Sequence, residues 1–170
     1  MTYLSPERIE KRHDVSDFTC RSDEQTTWLR KHARQADGTG TSTVFVVTPV
    51  HSDEVIAYYA WCMSSVRPED MPERARKGAG RYPQPVALLS RLGVDIRHEK
   101  RGLGAAMIKD MLFRLADMSS GIGCRGLLVH CETTDARSFY THLLPDFEQS
   151  PTDELHLLLL MKDIRKSFGT

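Results

Sequence analysis

Val86-Ala-Leu-Leu-Ser-Arg-Leu-Gly-Val-Asp95 runs straight into Ile96-Arg-His-Glu-Lys-Arg101-Gly-Leu-Gly104, and this stretch decides how the chain reads. The first half is an apolar run suited to a central strand over Val86–Asp95, and Gly93 within it suggests a bulge or a close backbone approach. After Gly104 an amphipathic pattern predicts a helix over Leu103–Ser119, with Met107, Ile108, Met111, Leu112, Leu115 and Met118 as one core-facing stripe. A strand entering a basic, glycine-bearing loop that opens a helix forms a phosphate site. The first helical N–H groups lack partners, and the helix dipole favours an anion there. Gly102 and Gly104 remove Cβ obstruction. The loop alone fits a plain glycine turn equally well.

Elimination narrows the ligand. A dinucleotide fingerprint needs a third glycine where Met107 stands, and a Walker loop needs a Gly-Lys-Ser/Thr that is absent. Outward from the loop, the spacing predicts a helix over Asp23–Gln35 with Ser22 as N-cap, then a hairpin of strands Val44–Thr48 and Val55–Ser64. Arg67–Pro85, rich in proline and glycine, reads as a loop with at most one helical turn. Gly126–Glu132 reads as a buried strand, Asp135–Leu143 as a short helix, and Glu154–Met161 as a last strand. This alternation implies an α/β fold with a mixed sheet flanked by helices and two parallel central strands. Ligands in such sheets sit at the carboxyl ends of the strands, here Val94-Asp95 and Cys131-Glu132.

Composition bounds the function. At 170 residues, with 40% hydrophobic and 27% charged residues, one ordered domain spanning 1–170 is expected. No stretch is long and apolar enough to cross a bilayer, and the N-terminus lacks a signal peptide's apolar core, so a cytoplasmic location is expected. Cys20, Cys62, Cys124 and Cys131 show no metal-ligand spacing and read as structural thiols. Net charge is zero, which excludes a uniformly basic nucleic-acid coat but not local patches. Three basic clusters stand out: Arg30, Lys31, His32 and Arg34; Arg67, Arg74, Arg76, Lys77 and Arg81; and Lys162, Arg165 and Lys166.

The Arg-Gly-Leu-Gly loop, followed downstream by Ser138-Phe139-Tyr140 and Asp146-Phe147, resembles the GNAT family of N-acetyltransferases. One branch is closest. Phe18-Thr-Cys20, Trp28-Leu29, Ala33, Tyr58-Tyr59-Ala60, Pro83-Gln-Pro85-Val86, Leu92-Gly93-Val94-Asp95, Leu127-Leu128-Val129 and Phe139-Tyr140 resemble the acetylating toxins of bacterial type II toxin–antitoxin modules. Three positions depart from that pattern: Glu99 opens the loop, Arg21 follows Cys20, and Leu143-Leu-Pro-Asp-Phe147 replaces a Gly-Phe.

The resemblance implies a single GNAT-like domain using acetyl-coenzyme A to acetylate the α-amine of aminoacyl-tRNA, with a cognate antitoxin as partner and a homodimer left open. It assigns coenzyme contacts to Leu92, Gly93 and Val94, to the Arg101, Gly102, Leu103, Gly104 and Ala105 segment, and to Phe139. It makes Tyr140 the acid that protonates the departing thiolate, a phenol being protonated at neutral pH. Phosphates of the tRNA would meet Arg30, Lys31, Arg74, Arg76, Lys77 and Arg81. His98, His130, Glu132 and His142 are base candidates by region only, and none is assigned, because an α-amine titrates near 7.7–8.0 already. The competing functions are a GNAT enzyme acting on a small amine or protein N-terminus, and a non-catalytic acetyl-coenzyme A-binding module.

Overall fold

Thirteen helices and strands alternate along residues 1–169, which are those the computed structural model describes. They fall into two compact units, Met1–Cys62 with Ser90–Asp110, and Met63–Leu89 with the chain from Met111 onward.

In the first unit, β1 (Glu7–Arg8) pairs antiparallel with β2 (Thr43–Val47), and β2 pairs with β3 (Ala57–Val66) in the expected hairpin, from Thr43 opposite Trp61 to Val47 opposite Ala57. Ala57–Ala60 are fully buried, consistent with a continuous apolar run rather than an alternating one. The helix expected over Asp23–Gln35 is two helices, α1 (Asp23–Lys31) and α2 (Ala33–Thr39), broken at His32 with φ −123° and ψ −20°. Apolar periodicity missed the break because Leu29 and Ala33, on either side of it, both face the core. Ser22 caps α1 as expected, its side chain accepting from the Gln25 N–H at 3.2 Å. Phe18, Leu29, Val44, Val46 and Tyr58 form this unit's core. The Tyr58 hydroxyl donates to the Gln25 carbonyl at 2.7 Å, and Trp28 stacks on its ring at 6.0 Å.

The second unit holds α3 (Glu73–Arg76), the start of β4 (Gln84–Val94), the end of α4 (Leu103–Met118), β5 (Gly126–His130), α5 (Thr134–Leu143), β6 (Glu148–Gln149), β7 (His156–Leu160) and α6 (Met161–Ser167). The central strands are parallel as expected, with Ala87–Leu89 of β4 opposite Leu127–Val129 of β5; β4 continues to Val94 beyond that ladder. β5 pairs antiparallel with β7 from Gly126 opposite Leu160 to His130 opposite His156. Val66, Met71, Ala75, Val86, Leu128, Leu158 and Leu160 pack together, so the Arg67–Pro85 connection carries its own buried anchors. The hydrogen-bonded order β1-β2-β3-β4-β5-β7-β6 confirms the mixed sheet.

The α4 stripe is buried through Leu115, but Met118 is 44% exposed, because the helix ends there and its last turn lies beyond the core. Neither β1, β6 nor α6 was expected: the two strands are two residues long, and α6 follows β7 without a break. Among the described residues no helix is long and apolar enough to cross a membrane.

Candidate active site

The first unit contains the glycine loop. β4 ends at Val94, and the next residue, Asp95, is a fully buried carboxylate. One oxygen accepts from the Arg97 main-chain N–H and Nε, both at 2.9 Å; the other accepts from the Thr19 N–H at 3.1 Å and Arg97 Nη2 at 3.0 Å. Burial pushes the carboxyl pKa up, but these donors outweigh it and hold Asp95 below the usual carboxylate range. Asp95 thereby caps a 3-10 turn, Ile96–His98, from which the loop departs.

Two further ties fix the loop to the N-terminal segment. Arg21 grips Glu99 with two hydrogen bonds of 2.8 and 2.9 Å, and the Tyr3 hydroxyl meets His98 Nδ1 at 2.8 Å. The sequence departures Arg21 and Glu99 are therefore partners, and the Arg21 guanidinium holds the Glu99 carboxyl below its ordinary value. Lys100 and Gly102 both take left-handed backbone conformations, φ 61° and 76°. A left-handed lysine is uncommon. Left-handed residues interleaved with right-handed ones turn successive N–H groups inward into an anion-binding concavity. The loop then opens α4, whose first regular bond at this end runs from Ala106 N–H to the Gly102 carbonyl, so the N–H groups of Leu103, Gly104 and Ala105 lie ahead of the intrahelical ladder.

Other expected residues of this unit are placed less directly. Leu92 and Val94 are half-buried. A Cβ at Gly93 would lie 3.0 Å from the Tyr58 ring and 3.3 Å from both Cys20 Sγ and Phe18, so core packing by itself demands this glycine. Arg30 and Lys31 are exposed on α1, with Arg30 Nη2 donating to Thr19 Oγ1 at 2.9 Å.

The second unit contains Tyr140. Thr133 caps α5 through its hydroxyl, which accepts from the Ala136 N–H at 3.1 Å. This places Tyr140 on the buried side of the helix, with its ring edge-on to Phe139 at 5.1 Å and Phe147 at 5.9 Å. Phe139 itself is 39% exposed. Burial, aided by Cys131 and Glu132, holds the Tyr140 phenol well above its ordinary value. Cys131, at the end of β5, is a buried thiol pushed up to about 11 by burial, consistent with a structural role.

Of the base candidates, His98 is buried against Tyr3 and lowered by burial. His130 stacks on His156 with centroids 3.8 Å apart, and burial and the His156 charge lower it. His142 and Glu132 are exposed. Arg76, Lys77 and Arg81 are exposed, whereas Arg74 is already paired with Asp163 at 2.9 Å and Glu148 at 3.2 Å. Sequence reasoning missed Asp95 and Lys100, whose roles depend on distant residues or on backbone angles.

Each within its own unit, α5 carries a buried, protonated Tyr140 and the start of α4 carries an anion-ready loop, where the sequence predicts them. The fold agrees: KacT, as a tyrosine mutant, matches with TM-score 0.91 at 20% identity, covering 99% of this chain and all of that one. AtaT complexed with acetyl-methionyl-tRNA matches with TM-score 0.88 at 21% identity, covering 96% and 98%. No family model matches the chain. A Mycobacterium tuberculosis tRNA-acetylating toxin is 41% identical over 167 residues, 98% of each chain. This chain belongs to the family of tRNA-acetylating toxins.

Proposed function

We propose that the chain works as one catalytic domain that transfers the acetyl group of acetyl-coenzyme A to the α-amine of an aminoacyl-tRNA. Kinship at 41% identity over 98% of the chain carries the acceptor assignment. The left-handed Lys100 and Gly102 ahead of a 16-residue helix carry the donor assignment, because inward N–H groups suit a pyrophosphate. The donor supplies its acetyl group as a thioester. Arg101–Ala105 hold the diphosphate, and Leu92, Gly93, Val94 and Phe139 line the pantetheine arm. As the amine nitrogen bonds to the acyl carbon and the C–S bond breaks, the Val94 N–H would meet the charge developing on the acyl oxygen. Tyr140 would give its proton to the departing sulfur, while the amine's proton passes to solvent, from which the phenol is reprotonated. No side-chain base is invoked.

AtaT has also been solved with acetyl-coenzyme A and the C-terminus of its antitoxin AtaR; an antitoxin for this chain and a cytoplasmic site of action follow the same reading.

The direct test is incubation with labelled acetyl-coenzyme A and total charged tRNA, followed by mass analysis of the aminoacyl adenosine. An acetylated α-amine is expected. Label found only on small amines or protein N-termini would overturn the acceptor.

The donor site has its own test. Gly102→Val puts a β-branched residue at φ 76°, at a cost of roughly 1–2 kcal/mol, although a Cβ there meets nothing within 4 Å. The variant should fold but lose the stabilisation that acetyl-coenzyme A gives the wild type, about 2.7 kcal/mol at a hundredfold excess over Kd. Unchanged coenzyme affinity by calorimetry would remove the loop from the site.

A further inference from the structure

Asp95, Glu54 and Glu99 lie at the foot of the glycine loop, and each is held by an arginine. Arg97, part of the loop's own 3-10 turn, takes Asp95 at 2.9 Å and Glu54 at 2.7 Å. Glu99 is held instead from 78 residues away, by the fork of Arg21 Nε and Nη2. The main chain delivers Arg21 to this place. Thr19 donates its N–H to the Asp95 carboxylate at 3.1 Å, and its carbonyl accepts from the Ile96 N–H at 2.9 Å. The Cys20 N–H donates to Thr26 Oγ1 at 3.0 Å, and Ser22 caps α1. Arg21 thus lies in a segment tied down on both sides, so little freedom is lost when its guanidinium meets Glu99.

Folding stability does not account for this pair. The Arg21 side chain is 80% exposed, and exposed ion pairs add little to stability. The consequence falls on the loop. Glu99 immediately precedes the left-handed Lys100, where the N–H groups begin to turn inward. A bare carboxylate at that position puts negative charge beside groups arranged for an anion, and repels it. Asp95 poses no such problem, because it is fully buried and held by Arg97. Lys100 also acts on the Glu99 charge, but less than Arg21, which bonds it directly.

We infer that Arg21 is a positioning residue for the acetyl donor: by clasping Glu99 it cancels the negative charge at the entry to the loop and so sets the affinity for the coenzyme's diphosphate. The inference rests on the donor reading above and adds to it a residue outside the loop, one that touches Glu99 rather than the ligand.

Calorimetric titration with acetyl-coenzyme A reads the effect apart from catalysis. Arg21→Ala should raise Kd severalfold, and the coenzyme KM with it, while kcat at saturating coenzyme and the melting temperature stay near wild type. Glu99→Gln should bind the coenzyme at least as tightly as wild type. Arg21→Ala combined with Glu99→Gln should recover wild-type affinity, because neither charge remains. Arg21→Lys, which keeps the charge but loses the fork, should recover most of it. The ratio of Kd between Arg21→Ala and wild type should shrink toward one as salt rises from about 0.1 M to about 1 M, where the screening length falls from about 10 Å to about 3 Å. A double variant as weak as Arg21→Ala would overturn the inference, since the guanidinium would then be acting on the phosphates itself. An unchanged Kd in Arg21→Ala, or a defect indifferent to salt, would also overturn it. If wild type does not bind acetyl-coenzyme A at all, the donor reading itself fails; normal binding by wild type and Arg21→Ala alike sinks only the role of Arg21.

Discussion

Tyr140→Phe should lower kcat by about 10²–10⁴-fold while leaving the melting temperature and the KM for acetyl-coenzyme A nearly unchanged. The substitution removes one oxygen and keeps the ring, so the edge-on contacts with Phe139 and Phe147 survive. What disappears is the proton. Because burial holds the phenol above its ordinary value of about 10, the group stays protonated across the working range and gives no falling limb in the pH–rate profile below that value. A raised phenol is a weaker acid, so it gives its proton only as negative charge builds up on the departing sulfur. Stopped-flow measurement at saturating coenzyme is the decisive assay. Turnover within a few-fold of wild type would show that another group protonates the sulfur.

Gly126→Ala should abolish folding rather than catalysis. The new Cβ would sit 2.1 Å from the Leu159 carbonyl oxygen and 3.0 Å from its carbon, inside the antiparallel β5–β7 ladder. Neither strand can retreat, because the neighbouring Leu127, Leu157 and Leu159 are all buried. Overpacking of side chains typically costs about 1–3 kcal/mol, and a clash with main chain should exceed that. Against a typical total stability of about 5–15 kcal/mol, urea unfolding should show a sharply lowered midpoint or no native baseline. A midpoint near wild type would mean that the strands separate more freely than their packing suggests.

The strand, loop and helix from Val86 onward were legible because each announces itself locally: an apolar run, a basic glycine turn, then a 3.6-residue period. Tyr140 was legible through resemblance, and its burial follows from the Thr133 cap that starts α5. Other features depend on contacts that no local pattern encodes. His32 breaks a helix whose apolar stripe continues across the break. The two-residue strands β1 and β6 are too short to have a period. Asp95 reads as the polar end of a strand, yet it is a buried anchor, visible only when Thr19 and Arg97 are placed around it. Lys100 adopts an angle that its residue type does not favour.

The ties on the glycine loop also bear on folding order. Asp95 to Thr19, Glu99 to Arg21 and His98 to Tyr3 join residues 76, 78 and 95 positions apart. Closing such long loops costs entropy before the contacts reward it, so these pairings belong to the slow, non-local part of folding. Synthesis runs from the N-terminus, so Tyr3, Thr19 and Arg21 emerge long before their partners, and Tyr140 later still. A nascent chain stalled before β4 carries the strap without the loop. An N-terminal deletion leaves the loop without its strap. Both parts of the proposed site are therefore present together only after the chain beyond Tyr140 has emerged.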